Sequence, residues 1–230
     1  MEIVVRWSSP LPAEERFLRL LDDVEQGRFA AYRQDADKRR FLTGRVLAKT
    51  VAAERLGIPV ESVKFDATCE DCGKPHGRPR IPGADLALSI SHSGDLIGLA
   101  ATPSIPVGLD VETTTRRADE GLIEYALSPA ETAALAGLPA EDRAAAFFVY
   151  WTRKEAVMKA TGKGLRIPLK SITFSRHDEP ARLVFSGDAA LDPATTRLAD
   201  LKAADGYRAA IAVLTTEELS VTEEHWVPRL

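Results

Sequence analysis

Pro103-Ser104-Ile105-Pro106-Val107-Gly108-Leu109-Asp110-Val111-Glu112, residues 103–112, divides the chain into two halves. Two prolines bracket a linker-like break. A strand follows, in which Val107, Leu109 and Val111 alternate with Gly108, Asp110 and Glu112. That period of two buries one face and presents two carboxylates on the other. Before the break, Leu86, Leu88 and Ile90 point one way and Ser89 and Ser91 the other. His92-Ser93-Gly94-Asp95 supplies a turn, and Leu96 to Ala101 returns as a second strand. Further back, Asp35 to Leu56 reads as a long helix. It carries Leu42, Val46, Leu47 and Val51 inward and stops at Gly57, with Pro59 beyond. Glu14 to Glu25 is predicted to be helical, with Phe17, Leu20, Leu21 and Val24 on one stripe, and Ile3–Trp7 and Val63–Phe65 to be strands.

After the break, Ser128-Pro129-Ala130-Glu131 is a capping box with proline at the first helical position. A long helix spans roughly Glu141 to Ala160, and Ile172–Ser175, Arg182–Phe185 and Tyr207–Leu214 read as strands. Strand, helices and strands thus occur twice. The pattern predicts an α+β fold, a pseudo-two-fold pair of similar α/β halves, each a small mainly antiparallel sheet packed with a long helix. The halves are placed at residues 1–105 and 106–230.

A chain of 230 residues, 45% apolar and 28% charged, suits a globular fold rather than a disordered one. The net charge of −4 argues against non-specific nucleic-acid binding, and no apolar run approaches the roughly 20 residues that span a bilayer. The first residues lack the basic start and apolar core of a signal peptide, so a cytoplasmic location is expected. Against that acidic background stand two basic clusters, Lys38-Arg39-Arg40 with Arg33 and Arg45, and Lys74, Arg78 and Arg80. Each reads as solvated surface or as a phosphate-binding patch.

Four constellations carry possible chemistry. Asp110 and Glu112, at i and i+2 on a strand, face one side within reach of one hard cation, although an exposed strand face also carries such pairs. On the helix, Trp151, Glu155 and Lys159 recur every four residues just before Gly162 and Gly164. As a surface pair, Glu155 and Lys159 would contribute only about 0.3–0.5 kcal/mol. As a third carboxylate packed against the sheet, Glu155 would complete a Mg²⁺ site. Ser89-Ile90-Ser91-His92-Ser93-Gly94 places a histidine among small residues where a ligand has room, or is an ordinary turn. Cys69-Glu70-Asp71-Cys72 with His76 offers three zinc ligands and His92 a fourth, but a second CxxC or HxxxH is absent, so reduced loop thiols are the favoured reading, with a reversible local disulfide beside them.

Gly73-Lys74-Pro75, Ser89 through Gly94, Val107 through Glu112 and Trp151 through Leu165, in this order and spacing, resemble the 4′-phosphopantetheinyl transferase family of the larger, Sfp-like type. The resemblance covers nearly the whole chain and implies a pseudo-two-fold fold with the active site, and coenzyme A, in the cleft between the halves. It implies transfer of the phosphopantetheine arm of coenzyme A to a serine of apo acyl or peptidyl carrier proteins, serving fatty-acid, polyketide or nonribosomal-peptide synthesis, with release of adenosine 3′,5′-bisphosphate. By motif, Asp110, Glu112 and Glu155 would hold Mg²⁺. Lys74, Ser91, His92 and Lys159 would contact coenzyme A, and Arg28 and Arg40 would lie near its 3′-phosphate. Glu155 and Lys159 would be the catalytic pair. The segment Thr113 to Tyr125, with Arg116, Arg117, Leu122 and Ile123, is a candidate carrier-docking rim or an ordinary connection. A monomer is expected, with no nucleic-acid or membrane partner. A non-catalytic coenzyme A or nucleotide-binding module and a zinc-dependent nucleic-acid binder are the alternatives from other classes.

Overall fold

The computed structural model describes residues 1–68, 72–74, 77–115 and 118–228, without the side chain at 165. The first half contains β1 (Glu2–Ser8), helices α1 (Glu15–Leu18), α2 (Asp23–Ala31) and α3 (Asp35–Leu56), and the hairpin β2 (Ala87–Ser93) and β3 (Leu96–Thr102). The helix α3 has the expected bounds. It ends at Gly57, whose φ of 64° is the left-handed conformation that glycine adopts without steric cost. Leu42, Val46, Leu47 and Val51 of α3 are buried in the core shared with β2 and β3.

Two local expectations are corrected. The helix predicted over Glu14–Glu25 is split in two. Asp22 accepts from the Glu25 N–H and Glu25 accepts from the Asp22 N–H, a capping box that starts α2 afresh. Val24 lies outside the apolar stripe and is 57% exposed. Val63–Phe65 is not a strand; a 3-10 turn at Val60–Ser62 precedes it, and nearby pairing is limited to the single Asp66–Arg80 bridge among the described residues.

The second half contains β4 (Val107–Thr113), α4 (Glu120–Ala126), α5 (Pro129–Ala136), α6 (Ala140–Thr161), β5 (Ile172–Phe174), β6 (Leu183–Ser186), β7 (Thr196–Leu201) and β8 (Tyr207–Leu214), with β9 (Ser220–His225) closing the chain. The capping box at Ser128 and Glu131 forms as read, with Pro129 at the first turn of α5. Helix α6 lies across β4 and β8. Its approach to β4 is close enough that a Cβ at Gly108 would collide with Ala156 O and Ala160 N of α6, so this strand position admits only glycine without backbone movement. Two buried cations fix the other side of α6. Arg153 donates to both oxygens of Asp200 and to the carbonyls of Ser175, Arg176 and Glu179. Lys154 pairs with Glu131 at 2.8 Å and donates to the carbonyls of Leu169 and Ile172. Removing either member of the Lys154–Glu131 pair, in which both side chains are buried, costs about 3–5 kcal/mol, because the other charge is left without compensation.

The strands form a four-stranded sheet in the order β2-β3-β1-β9, a three-stranded sheet β4-β8-β7 and the pair β5-β6. The last strand departs from a division at residue 105: β9 pairs parallel with β1, so residues 220–225 complete the sheet of the first half. A third apolar core joins the two large sheets, with Ile3, Val5 and Trp7 of β1 meeting Val107, Leu109 and Val111 of β4 and Ile211 and Val213 of β8. Each half therefore carries a helix of 22 residues, α3 or α6, on its own sheet. The edge strands β2 and β4 run side by side at the joint between the sheets.

Candidate active site

The face of β4 opposite the third core lies beneath α6, so its carboxylates are not an exposed strand face. Asp110 is only 5% exposed. Its Oδ1 accepts from Lys159 Nζ at 2.7 Å and from Ser91 Oγ at 2.9 Å, while Lys159 also donates to Ser91 Oγ at 2.9 Å and to Leu109 O at 3.0 Å. The ion pair that Lys159 makes is thus with Asp110 across the helix–sheet contact, and the surface pair with Glu155 is not formed. Glu112, half-buried two residues on, accepts from Ser93 Oγ at 2.8 Å.

Burial raises the Asp110 carboxyl above the usual aspartate range; Lys159 opposes that shift and Glu112 adds to it. Glu155 is likewise raised, first by burial and then by the charge of Asp110, with Lys159 opposing. The three carboxylates therefore sense one another, and Lys159 offsets part of their repulsion. Among the described residues, however, no three or more acidic, histidine or cysteine side chains are gathered closely enough to hold a metal ion. One feature does fit a cation: Asp110 Oδ2 is buried with no hydrogen-bond partner. An orphaned carboxylate oxygen in a low-dielectric site is costly unless a cation or donor meets it. Asp110, Glu112 and Glu155 carry oxygen donors only, the ligand chemistry that Mg²⁺ takes alongside waters and phosphate oxygens.

His92 and Arg40 flank this centre. Arg40 Nε donates to Gly94 O at 2.6 Å and Nη1 to Asp37 at 2.7 Å, which ties α3 to the β2–β3 turn. His92 is held below the usual histidine range by desolvation and then by the charges of Lys159 and Arg40, so its ring is a neutral member of a cationic flank. A groove of about 350 Å³ runs from this centre between the halves. It is lined by Arg78, Leu88 and Ser89 on one side and by Glu155, Met158 and Lys159 on the other. Neither Lys74 nor Arg28 lines it. Lys74 is exposed on the loop ahead of β2, and Arg28 stacks over the Phe41 ring at 5.1 Å beside a separate, smaller pocket.

Other expectations fare differently. Cys72 is exposed, whereas Cys69 and His76 lie outside the described residues, as do Arg116 and Arg117 of the segment from Thr113 to Tyr125. Leu122 and Ile123 are partly buried against the second-half core. Glu25 of α2 faces inward, where it pairs with Lys49 at 2.7 Å and lies 3.6 Å from Arg45. Arg78, which the sequence placed only in a basic cluster, spans the joint: it donates to Leu88 O of β2, Val107 O of β4 and Ala160 O of α6. Among the described residues its partners are backbone carbonyls, which leave no mark in the sequence.

A fold of two joined halves, with buried carboxylates and a lysine where their edges meet, is matched by two family models that follow one another along the chain. The 4′-phosphopantetheinyl transferase N-terminal model matches residues 5–104, and the 4′-phosphopantetheinyl transferase superfamily model matches residues 106–212. The chain is 33% identical over 183 residues to 4′-phosphopantetheinyl transferase HetI of Nostoc sp., an alignment that covers 77% of this chain and 76% of that protein. The chain belongs to the 4′-phosphopantetheinyl transferase family. Its similarity extends to Sfp of Bacillus subtilis, 28% identical over 173 residues and 74% of either chain. It is also 37% identical over 155 residues to psf-1 of Bacillus pumilus, covering 67% of this chain and 60% of that one. Among solved structures, holo-[acyl-carrier-protein] synthase of Thermotoga maritima aligns with 49% of this chain and 65% of its own, at a TM-score of 0.39 and 23% identity.

Proposed function

We propose that the protein transfers the 4′-phosphopantetheine arm of coenzyme A to a serine hydroxyl of an apo acyl or peptidyl carrier protein and releases adenosine 3′,5′-bisphosphate. The observation that carries this reading is Asp110, buried on β4, with one oxygen held by Lys159 and Ser91 and the other without a partner. In this reading Asp110, Glu112 and Glu155 hold Mg²⁺, which when bound supplies positive charge to the pyrophosphate oxygens. Lys159, at the mouth of the groove, offers its ammonium to the same phosphates and a proton to the departing bisphosphate oxygen. Glu155 takes the proton of the attacking serine, directly or by way of a water. Arg28 and Arg40 lie near the 3′-phosphate, and Lys74, Ser91 and His92 contact coenzyme A. No described helix is long and apolar enough to cross a membrane. The reaction is placed in the cytoplasm, where coenzyme A and carrier proteins meet, and one chain contains every residue it uses.

The test is incubation of the protein with coenzyme A and an apo carrier, followed by mass spectrometry of the carrier. Addition of one phosphopantetheine arm that depends on Mg²⁺ and stops on chelation is the expected result. Coenzyme A binding without any mass addition, across a panel of fatty-acid, polyketide and peptide carriers, would leave the non-catalytic binding module as the reading.

A further inference from the structure

The joint between β2 and β4 is made by side chains. Ser89, Ser91 and Ser93 of β2 accept from the backbone N–H groups of Leu109, Val111 and Thr113 of β4, at 2.9, 3.2 and 3.1 Å. A hydroxyl that accepts such a bond still has its own proton to give. Ser91 gives it to Asp110 at 2.9 Å and Ser93 gives it to Glu112 at 2.8 Å. At the corresponding position before them stands Gly108, where α6 leaves no room for a side chain. The period of two on β2 thus meets a period of two on β4, and each carboxylate of β4 is met by one hydroxyl of β2.

Ser91 shares its carboxylate with Lys159, which alone could orient Asp110. Ser93 differs. It is 9% exposed, and its hydroxyl is fixed on one side by Thr113 N and directed on the other at Glu112 Oε2. Groups that hold a metal-binding side chain in place typically change metal affinity by about 10–100-fold when removed.

We propose that Ser93 is a positioning residue for Glu112, its backbone-anchored hydroxyl setting where that carboxylate points. The proposal rests on the reading of Glu112 as a metal ligand.

The test measures Mn²⁺ binding to the full chain, by the loss of free-ion electron paramagnetic resonance signal, with thermal unfolding followed in parallel. Ser93→Ala weakens Mn²⁺ binding by about tenfold, Ser93→Thr restores most of the affinity, and Ser89→Ala lowers the melting temperature while leaving Mn²⁺ affinity as in the wild type. Two results overturn the proposal: Ser93→Ala binding within about twofold of wild type, or equal weakening by Ser89→Ala, which would make the hydroxyls a structural joint and nothing more. Glu112→Gln separates the two levels. If that variant binds Mn²⁺ as the wild type does, the metal reading of Glu112 has failed and the role of Ser93 falls with it. If Glu112→Gln loses affinity and Ser93→Ala does not, only the role of Ser93 is refuted.

Discussion

Replacing Lys159 by methionine keeps the bulk of the side chain and removes three hydrogen bonds, to Asp110, Ser91 and Leu109 O. Asp110 retains Ser91 but loses the cation that offsets its burial. Breaking a fully buried pair costs about 3–5 kcal/mol. The Lys159 side chain is 31% exposed, so water recovers part of that, and the expected loss is about 2–3 kcal/mol near pH 8 without divalent metal. For a chain of this size the loss lowers the melting temperature by roughly 4–12 °C. The pH dependence follows from the direction of the shift. Asp110 already has a raised carboxyl, and loss of Lys159 raises it further. The folded variant then binds a proton that the unfolded chain releases, so its stability falls as pH rises through that range. Its deficit against the wild type is therefore large near pH 8 and shrinks on acidification, where the carboxyl is neutral. A cycle with Asp110→Asn isolates the pair, and the double variant should be less destabilised than the sum of the singles by about 1–3 kcal/mol. Denaturant unfolding in chelator at about pH 5.5 and about pH 8 measures all four proteins. A coupling below about 0.5 kcal/mol, or a deficit that does not change with pH, refutes the assignment of Lys159 as the compensating charge of Asp110.

Glu155→Gln should reduce transfer to a carrier by about a hundredfold or more, while the melting temperature stays equal or rises because a like-charge repulsion is relieved; wild-type turnover would rule out the catalytic role. Coenzyme A binding should take up protons near pH 6.5, since phosphate beside His92 reverses the cationic depression of its ring. Calorimetry in buffers of different ionisation enthalpy reads this directly, and uptake that persists in His92→Gln would assign the proton elsewhere. Gly108→Ala should cost about 3 kcal/mol, the upper end for overpacking, because the new methyl meets helix backbone rather than a flexible side chain. Chemical unfolding checks it, and a change under about 1 kcal/mol would mean that α6 can move off β4 freely.

Much of the fold was legible because its signals are local. Helix α3 ends at a glycine with positive φ, α5 begins at a capping box, and β2 and β4 alternate large apolar residues with small or polar ones along their length. The failures share a physical cause. The stripe from Phe17 to Val24 has a helical period, but the reciprocal bonds of Asp22 and Glu25 interrupt it. Strand β9 pairs with β1 from the far end of the chain, and no local pattern encodes that partner. Within the site, the spacing of Glu155 and Lys159 suggested a pair along the helix. The carboxylate of Asp110 instead meets the ammonium because Gly108 lets α6 settle close on β4. Spacing identified the groups, and tertiary packing chose which of them meet.

The joint between the halves explains why the chemistry gathers there. Neighbouring strands of one continuous sheet lie about 4.7–4.9 Å apart and satisfy each other's N–H and C=O groups. Here β2 and β4 are edges of separate sheets, so side chains do that work. Three serine hydroxyls take the N–H groups of β4. Arg78 takes the carbonyls of Leu88 and Val107, and Lys159 takes that of Leu109. A backbone left half-paired in the interior is unfavourable, and hydroxyls and cations placed to satisfy it are the same groups that can hold carboxylates and phosphates. Closing the joint into an ordinary ladder would satisfy the backbone equally well and leave no reason for Lys159 or the serines to face Asp110 and Glu112. The interruption of the sheet is therefore what creates the site.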